Sequence, residues 1–113
     1  MINDLIVIGG GAAGLCAAVY FKREKPDATV RILEAQPRVG KKLALTGNGR
    51  CNITNSADTE EFIKNVPVNP SFLYSAFYTF TNDDIVSLLS LYGVETKVER
   101  GGRIFPQSDK SKD

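Results

Sequence analysis

The stretch "LIVIGGGAAG", residues 5–14, sets the architecture of this chain. Leu5 to Ile8 form a short apolar run that breaks into glycines, which predicts a strand buried on both faces, as in a parallel sheet. From Ala12 to about Lys25 the pattern turns helical, with Ala13, Leu15, Cys16, Ala17, Ala18, Val19 and Phe21, until Pro26 stops it. "ATVRIL" then alternates apolar and polar residues and predicts a second strand ending at Glu34. Parallel neighbours require a crossover, so strand, glycine turn, helix and strand together predict the opening of a βαβ unit.

Within that turn, Gly9, Gly11 and Gly14 satisfy G-x-G-x-x-G, and Glu34 follows Gly14 by 20 positions. The motif alone is weak, because glycine-rich turns are common; its place between strand and helix gives it weight. Gly9 permits the tight turn out of the strand, Gly11 lets a pyrophosphate approach the backbone, and Gly14 lets the helix pack close to the sheet. The helix N-terminus, at Ala12 and Ala13, offers free N–H groups and a partial positive charge. Glu34 would accept hydrogen bonds from a ribose diol and repel a 2′-phosphate. The pattern predicts dinucleotide binding. It does not choose between NAD and FAD, which share the adenosine-diphosphate grip.

The totals bound the rest. At 113 residues the chain is about one small domain, with 42% hydrophobic and 24% charged residues, an ordinary globular composition. Fourteen Lys and Arg against thirteen Asp and Glu leave a net charge of +1, which gives no reason to expect nucleic acid or an acidic membrane as partner. No apolar run reaches the roughly 18 residues of a spanning helix, and "MINDLIVIGG" lacks the basic start and cleavage site of a secretory signal. Two cysteines, Cys16 and Cys51, make no disulfide framework, so the cytoplasm is the expected compartment. There is no histidine, which removes His-dependent nucleophile systems and most zinc sites. No metal is expected.

Further along, "VGKKLAL" predicts one or two helical turns, and Glu60 to Lys64 a short helix within a polar connector. "NPSFLYSAFYTF" predicts an apolar helix to about Phe80, whose aromatic residues at helical spacing read as core rather than as a stacking site. "TNDDIVSLLSLYG" is the best-punctuated helix: Thr81 or Asn82 as cap, Asp83 and Asp84 in the first turn, and Gly93 as stop. "VETKVERGGRIFP" predicts a hairpin with a primed turn at Gly101-Gly102. Two parallel strands are few for an open sheet, so residues 1–113 read as the first part of a longer protein, an incomplete domain.

After Glu34, "AQPRVGKKLALTGNGRCNITN" gathers Arg38, Lys41, Lys42 and Arg50 around Gly47 and Gly49 and the amides of Asn48 and Asn52. Charge alone is consistent with a solvated basic loop. The glycines favour a loop whose backbone N–H groups converge on an anion. Here the sequence resembles a family. "GGGAAGL", the glutamate after the second strand, "GKKLALTGNGRCNITN" and "GRIFPQSDK" are similar to the N-terminal portion of the BaiN-like NAD(P)/FAD-dependent oxidoreductases. The resemblance covers nearly the whole chain, and "TGNGRCN" is its most specific part. Members of that family are several times longer.

The resemblance implies an α/β, Rossmann-like FAD-binding start followed by a helical segment and a C-terminal hairpin. It implies FAD as cofactor, with NAD(P)H as a candidate co-substrate. Gly9, Gly11, Ala12, Ala13 and Gly14 would hold the pyrophosphate, and Glu34 the adenosine ribose. Lys42, Gly47, Gly49, Arg50, Cys51 and Asn52 would match the loop that runs along the pyrophosphate toward the flavin. The family's substrate domain would lie beyond residue 113.

Cys51 has no closely spaced partner, since Thr46 and Ser56 stand where a disulfide reductase would carry one, so no dithiol relay runs in this segment. Arg50 beside it would favour a reactive thiol. A small buried packing residue is the commoner fate of such a cysteine, and Cys16 reads as core. The chemistry expected is hydride transfer through a flavin, with a small-molecule substrate and no catalytic acid or base identifiable here. The rivals are a nicotinamide-only dehydrogenase and a non-catalytic nucleotide-binding module.

Overall fold

A computed structural model describes residues 3–113, which divide into two compact units meeting at Thr46 and Gly47. In the first, β1 (Leu5–Ile8) and β2 (Val30–Leu33) pair in parallel, Leu5 with Val30 through Ile8 with Leu33. The crossover is α1 (Ala12–Glu24), which ends where the Lys25 N–H donates to the Phe21 carbonyl and Pro26 can donate no further bond. Lys22 and Arg23 sit in its last turn, where the helix dipole favours cations.

The helix packs on the face bearing Leu5, Val7, Val30 and Ile32. On the other face Ile6 (50%), Ile8 (79%) and Leu33 (48%) are exposed. The expectation of a strand buried on both faces is therefore corrected for the described residues: one helix covers one face. Cys16, read as core, is half-buried, and Ala18 is the buried residue of α1. A five-residue helix, α2 (Lys41–Leu45), follows as expected, entered through Gly40 in the left-handed region.

The second unit is built on a three-stranded antiparallel sheet in the order β3 (Thr54–Asn55), β5 (Arg103–Pro106), β4 (Thr96–Val98). Its core holds Cys51, Leu88, Ile104 and Phe105; burying a phenylalanine such as Phe105, 3% exposed, is worth roughly 1.5–3 kcal/mol. α3 (Thr59–Lys64) starts where the Asp58 side chain accepts from the Glu61 N–H. α5 (Asn82–Leu91) carries a full capping box: Asp84 N–H donates to Thr81 Oγ1, and Thr81 N–H to Asp84 Oδ2 at 2.7 Å.

Two readings of this unit change. The expected apolar helix is split into a 3₁₀ turn, Pro70–Leu73, entered from left-handed Asn69, and α4 (Tyr74–Thr79), with Leu73 at φ −98° and ψ −1° marking the junction. Its aromatic residues are only partly core: Phe72 (80%), Tyr74 and Tyr78 are exposed. Phe77 meets Phe62 at 5.8 Å, and both line an apolar cavity of ≈ 230 Å³ with Phe80 and Ile85. The hairpin forms, but without a primed turn. Glu99 N–H donates to the Arg103 carbonyl at 2.8 Å, leaving a three-residue connection, Arg100–Gly102. Its glycines occupy the second and third positions, with φ of 76° and 74°, so neither of them is the first residue of a two-residue loop.

Candidate functional site

The glycine turn and Glu34 form one hydrogen-bonded assembly in the first unit. Leaving β1, Gly9 takes φ 96° and donates to the Leu33 carbonyl, so the turn stays tied to the end of β2. Gly10 is buried. Its N–H donates to Glu34 Oε2 at 2.7 Å, and its carbonyl accepts from the Gly40 N–H at 2.7 Å. A second carboxylate oxygen of Glu34 accepts from the Gln36 N–H. These backbone bonds, Gln36 first and then Gly10, hold the Glu34 carboxyl below its ordinary value, so it is ionised at neutral pH. The Gly40 clasp and Val39, whose side chain would meet a Cβ at Gly10, belong to this assembly as well. Sequence reading missed both, because neither residue type announces such a role.

The glycines are required for different reasons. A Cβ at Gly14 would overlap the Gly9 carbonyl oxygen and press on Val7, so glycine there is a packing requirement. Gly11 lies at φ −81° and ψ −172°, extended backbone open to any residue, and a Cβ there would meet nothing within 4 Å. The fold does not need glycine at 11. A ligand lying against the backbone would, and this is the feature that fits the pyrophosphate of a dinucleotide. Beyond it, α1 has no side-chain cap and no acid in its first turn, so the N–H groups of Ala12, Ala13 and Gly14 are unclaimed by the helix. Lys42 is exposed on α2.

In the second unit, Gly47, Asn48 and Gly49 run through the left-handed region with φ of 57°, 54° and 86°, and Cys51 returns to it at 62°. A Cβ at Gly47 would lie 2.8 Å from the Asn52 nitrogen and 3.2 Å from the Phe105 ring. Cys51 is buried at 6% exposure. With its amide oriented to satisfy both ends, Asn52 donates to the Thr54 and Ile104 carbonyls. Neither the Cys51 nor the Asn52 backbone N–H has an acceptor in the second unit's described hydrogen bonds.

Arg50 faces protein. Its guanidinium pairs with Glu99 and with Asp109, Nε lying 2.8 Å from Asp109 Oδ1, and stacks 4.0 Å from the Phe105 ring centre. Lys97 completes the group, 2.7 Å from Asp109 and 3.3 Å from Glu99. Arg50 holds the Glu99 carboxyl below its usual range, and Lys97 followed by Arg50 does the same for Asp109. Glu99 and Phe105, in turn, give "GRIFP" and the hairpin before it a role that composition did not reveal. The three partners are separated from Arg50 by tens of residues, so no local spacing could have flagged them.

Residues 3–113 match the family described as the HI0933-like protein Rossmann domain. The chain belongs to this family. That agrees with the BaiN-like resemblance of its motifs and with the α/β start followed by helices and a hairpin. Over 110 residues it is 38% identical to the 3-dehydro-bile acid delta(4,6)-reductase of Clostridium scindens, covering 97% of this chain and 26% of that protein. It is 36% identical over 104 residues to the ribosomal RNA dihydrouridine synthase of Haemophilus influenzae, covering 91% of this chain and 25% of the relative. To the synthase of that name in Escherichia coli it is 31% identical, covering 90% and 24%. The chain thus spans about a quarter of the length of these curated relatives. Two of them are named for ribosomal RNA, so a near-neutral charge alone does not set RNA aside. No described helix is long and apolar enough to cross a membrane.

Proposed function

We infer that this member of the HI0933-like family is the FAD-binding N-terminal portion of a flavin-dependent oxidoreductase that works in the cytoplasm, with NAD(P)H or an organic substrate as hydride donor. One observation carries the reading: an open, cap-free helix N-terminus follows a glycine, Gly11, that the fold itself does not require. In this reading Gly9, Gly11, Ala12, Ala13 and Gly14 bind the pyrophosphate, and Glu34, held by Gly10 and Gln36, accepts from the adenosine ribose. Lys42, Gly47, Gly49, Arg50, Cys51 and Asn52 contribute to holding the same cofactor. A flavin supplies reversible two-electron chemistry; the protein supplies its placement and electrostatics.

Buried Cys51 serves packing here, since it has no second thiol nearby in the sequence with which to exchange electrons. A small-molecule substrate is favoured over RNA by the exposed aromatic segment. Around Phe72, Tyr74 and Tyr78 the charged residues from 59 to 92 are Glu60, Glu61, Lys64, Asp83 and Asp84, a poor phosphate-binding surface. Purification tests the cofactor. A yellow protein absorbing near about 450 nm, with FAD released on denaturation, is expected. A colourless chain that binds NADH and rejects FAD would make it a nicotinamide-only module instead.

A further inference from the structure

Arg50 is the residue a reader of the sequence would aim at a phosphate, yet its Nε and Nη2 are already engaged with the Asp109 and Glu99 carboxylates. Both of its carboxylate partners and Lys97 form a closed group of two cations and two anions, with side chains between 26 and 42% exposed. The group has no net charge to offer an anion. Phe105, the most buried of the core residues, covers one face of the guanidinium. To turn Nε and Nη2 onto a phosphate, Arg50 would have to break two ion pairs and leave that ring.

The loop that carries Arg50 is unusual in the opposite sense. Asn48 and Cys51 both lie in the left-handed region, where a residue with a Cβ is disfavoured and Cys has no special tolerance. Such backbone persists where its surroundings over-determine it. Here the surroundings are the Arg50 group, the Ser111 N–H donating to the Gly49 carbonyl at 2.8 Å, and the Asn52 amide on the sheet. Within this loop the Cys51 and Asn52 N–H groups have no acceptor among the described hydrogen bonds.

We propose that Arg50 is a positioning residue: with Lys97, Glu99 and Asp109 it locks Gly47–Asn52 in its left-handed course, so that the Cys51 and Asn52 amides, not the guanidinium, meet the cofactor's phosphates. The cofactor half of this statement rests on the FAD reading above; the lock does not. Positioning and direct binding predict opposite effects of removing negative charge. If Arg50 bound phosphate directly, neutralising Glu99 or Asp109 would free it and tighten FAD binding. If it positions the loop, either change loosens the loop and weakens binding.

The test is an FAD titration, followed by fluorescence, of the whole chain in a Cys16→Ser background, with Glu99→Gln, Asp109→Asn, Arg50→Gln and the Arg50→Gln/Glu99→Gln pair. A thiol reagent reports the labelling rate of Cys51 in each. Positioning predicts that each carboxylate variant weakens FAD binding by roughly three- to fivefold, on the scale of a partly exposed ion pair. The pair should be no weaker than Arg50→Gln alone, and Cys51 should label faster throughout. Carboxylate variants that bind FAD as tightly as the parent or tighter, with only Arg50→Gln impaired, would make Arg50 a ligand and overturn the proposal. A parent that takes up no FAD sinks the flavin reading. Cys51 labelling then decides the lock, which faster labelling in the variants supports and an unchanged rate overturns. Arg50→Lys, which keeps the charge but loses the fork and the stacking, gives the same comparison if a neutralised variant unfolds.

Discussion

At the scale of single residues, two glycines three positions apart separate what the fold needs from what a ligand needs. Gly14 is fixed by packing, since a methyl group there strikes the Gly9 carbonyl. Gly11 is free of such constraint and sits in ordinary extended backbone. Gly14→Ala should therefore destabilise the chain by about 1–3 kcal/mol, the usual range for an overpacked site. Gly11→Ala, at the N-cap of α1 where the entropy gained by losing a glycine is opposed by a poorer cap, should shift stability by less than about 1 kcal/mol while weakening dinucleotide binding. Urea unfolding and a binding titration on the same two variants check this; a Gly11→Ala chain that binds as the parent does would remove the main support for a pyrophosphate there. The motif was legible because each glycine of G-x-G-x-x-G has a geometric job. What the letters did not disclose is the Gly40 N–H on the Gly10 carbonyl, a backbone bond that leaves no trace in residue type.

At the scale of elements, α1 and α5 were readable because both periodicity and punctuation agree: Pro26 ends one, and the Thr81–Asp84 box opens the other. β3 was not, since the two residues Thr54 and Asn55 have no pattern and exist as a strand only by pairing with β5. The hairpin was legible as strands and misread at its turn, because two adjacent glycines suit several loop lengths. The charged group on that hairpin has a pH signature whose direction follows from its pKa shifts. Glu99 and Asp109 are held below their ordinary values of 4.5 and 3.8. Their contribution is complete above those values and is lost as pH falls through the depressed ones. Arg50 and Lys97 are raised, so theirs is present at neutrality and lost only in strong alkali. A plot of Tm against pH should thus be flat around neutrality and fall below about pH 4. The fall should be shallower in a Glu99→Gln/Asp109→Asn chain; equal slopes would mean that the group adds nothing to stability.

At the scale of the molecule, the fold class was readable from the first 34 residues and the family from the loop at 46–52, but the burial of the parts was not. Periodicity names an apolar face without naming its cover, which is why Ile6, Ile8 and Leu33 on the parallel pair, and Phe72 and Tyr78 farther on, are exposed against expectation. The second unit also has a demanding connectivity. Arg50 joins Glu99 across 49 residues and Asp109 across 59. Closing so long a loop costs chain entropy before any contact compensates it, and partly exposed ion pairs are too weak to do that first. The local hairpin of β4 and β5 must form, and Phe105 find its core, before the guanidinium has a ring to lie on. Arg50 is then among the last contacts made as the chain folds, and Glu99→Gln should speed unfolding while leaving the folding rate nearly unchanged in stopped-flow measurements. A slowed folding limb would place the contact in the nucleus instead. The segment proposed to greet the cofactor would acquire its shape only after everything around it has settled.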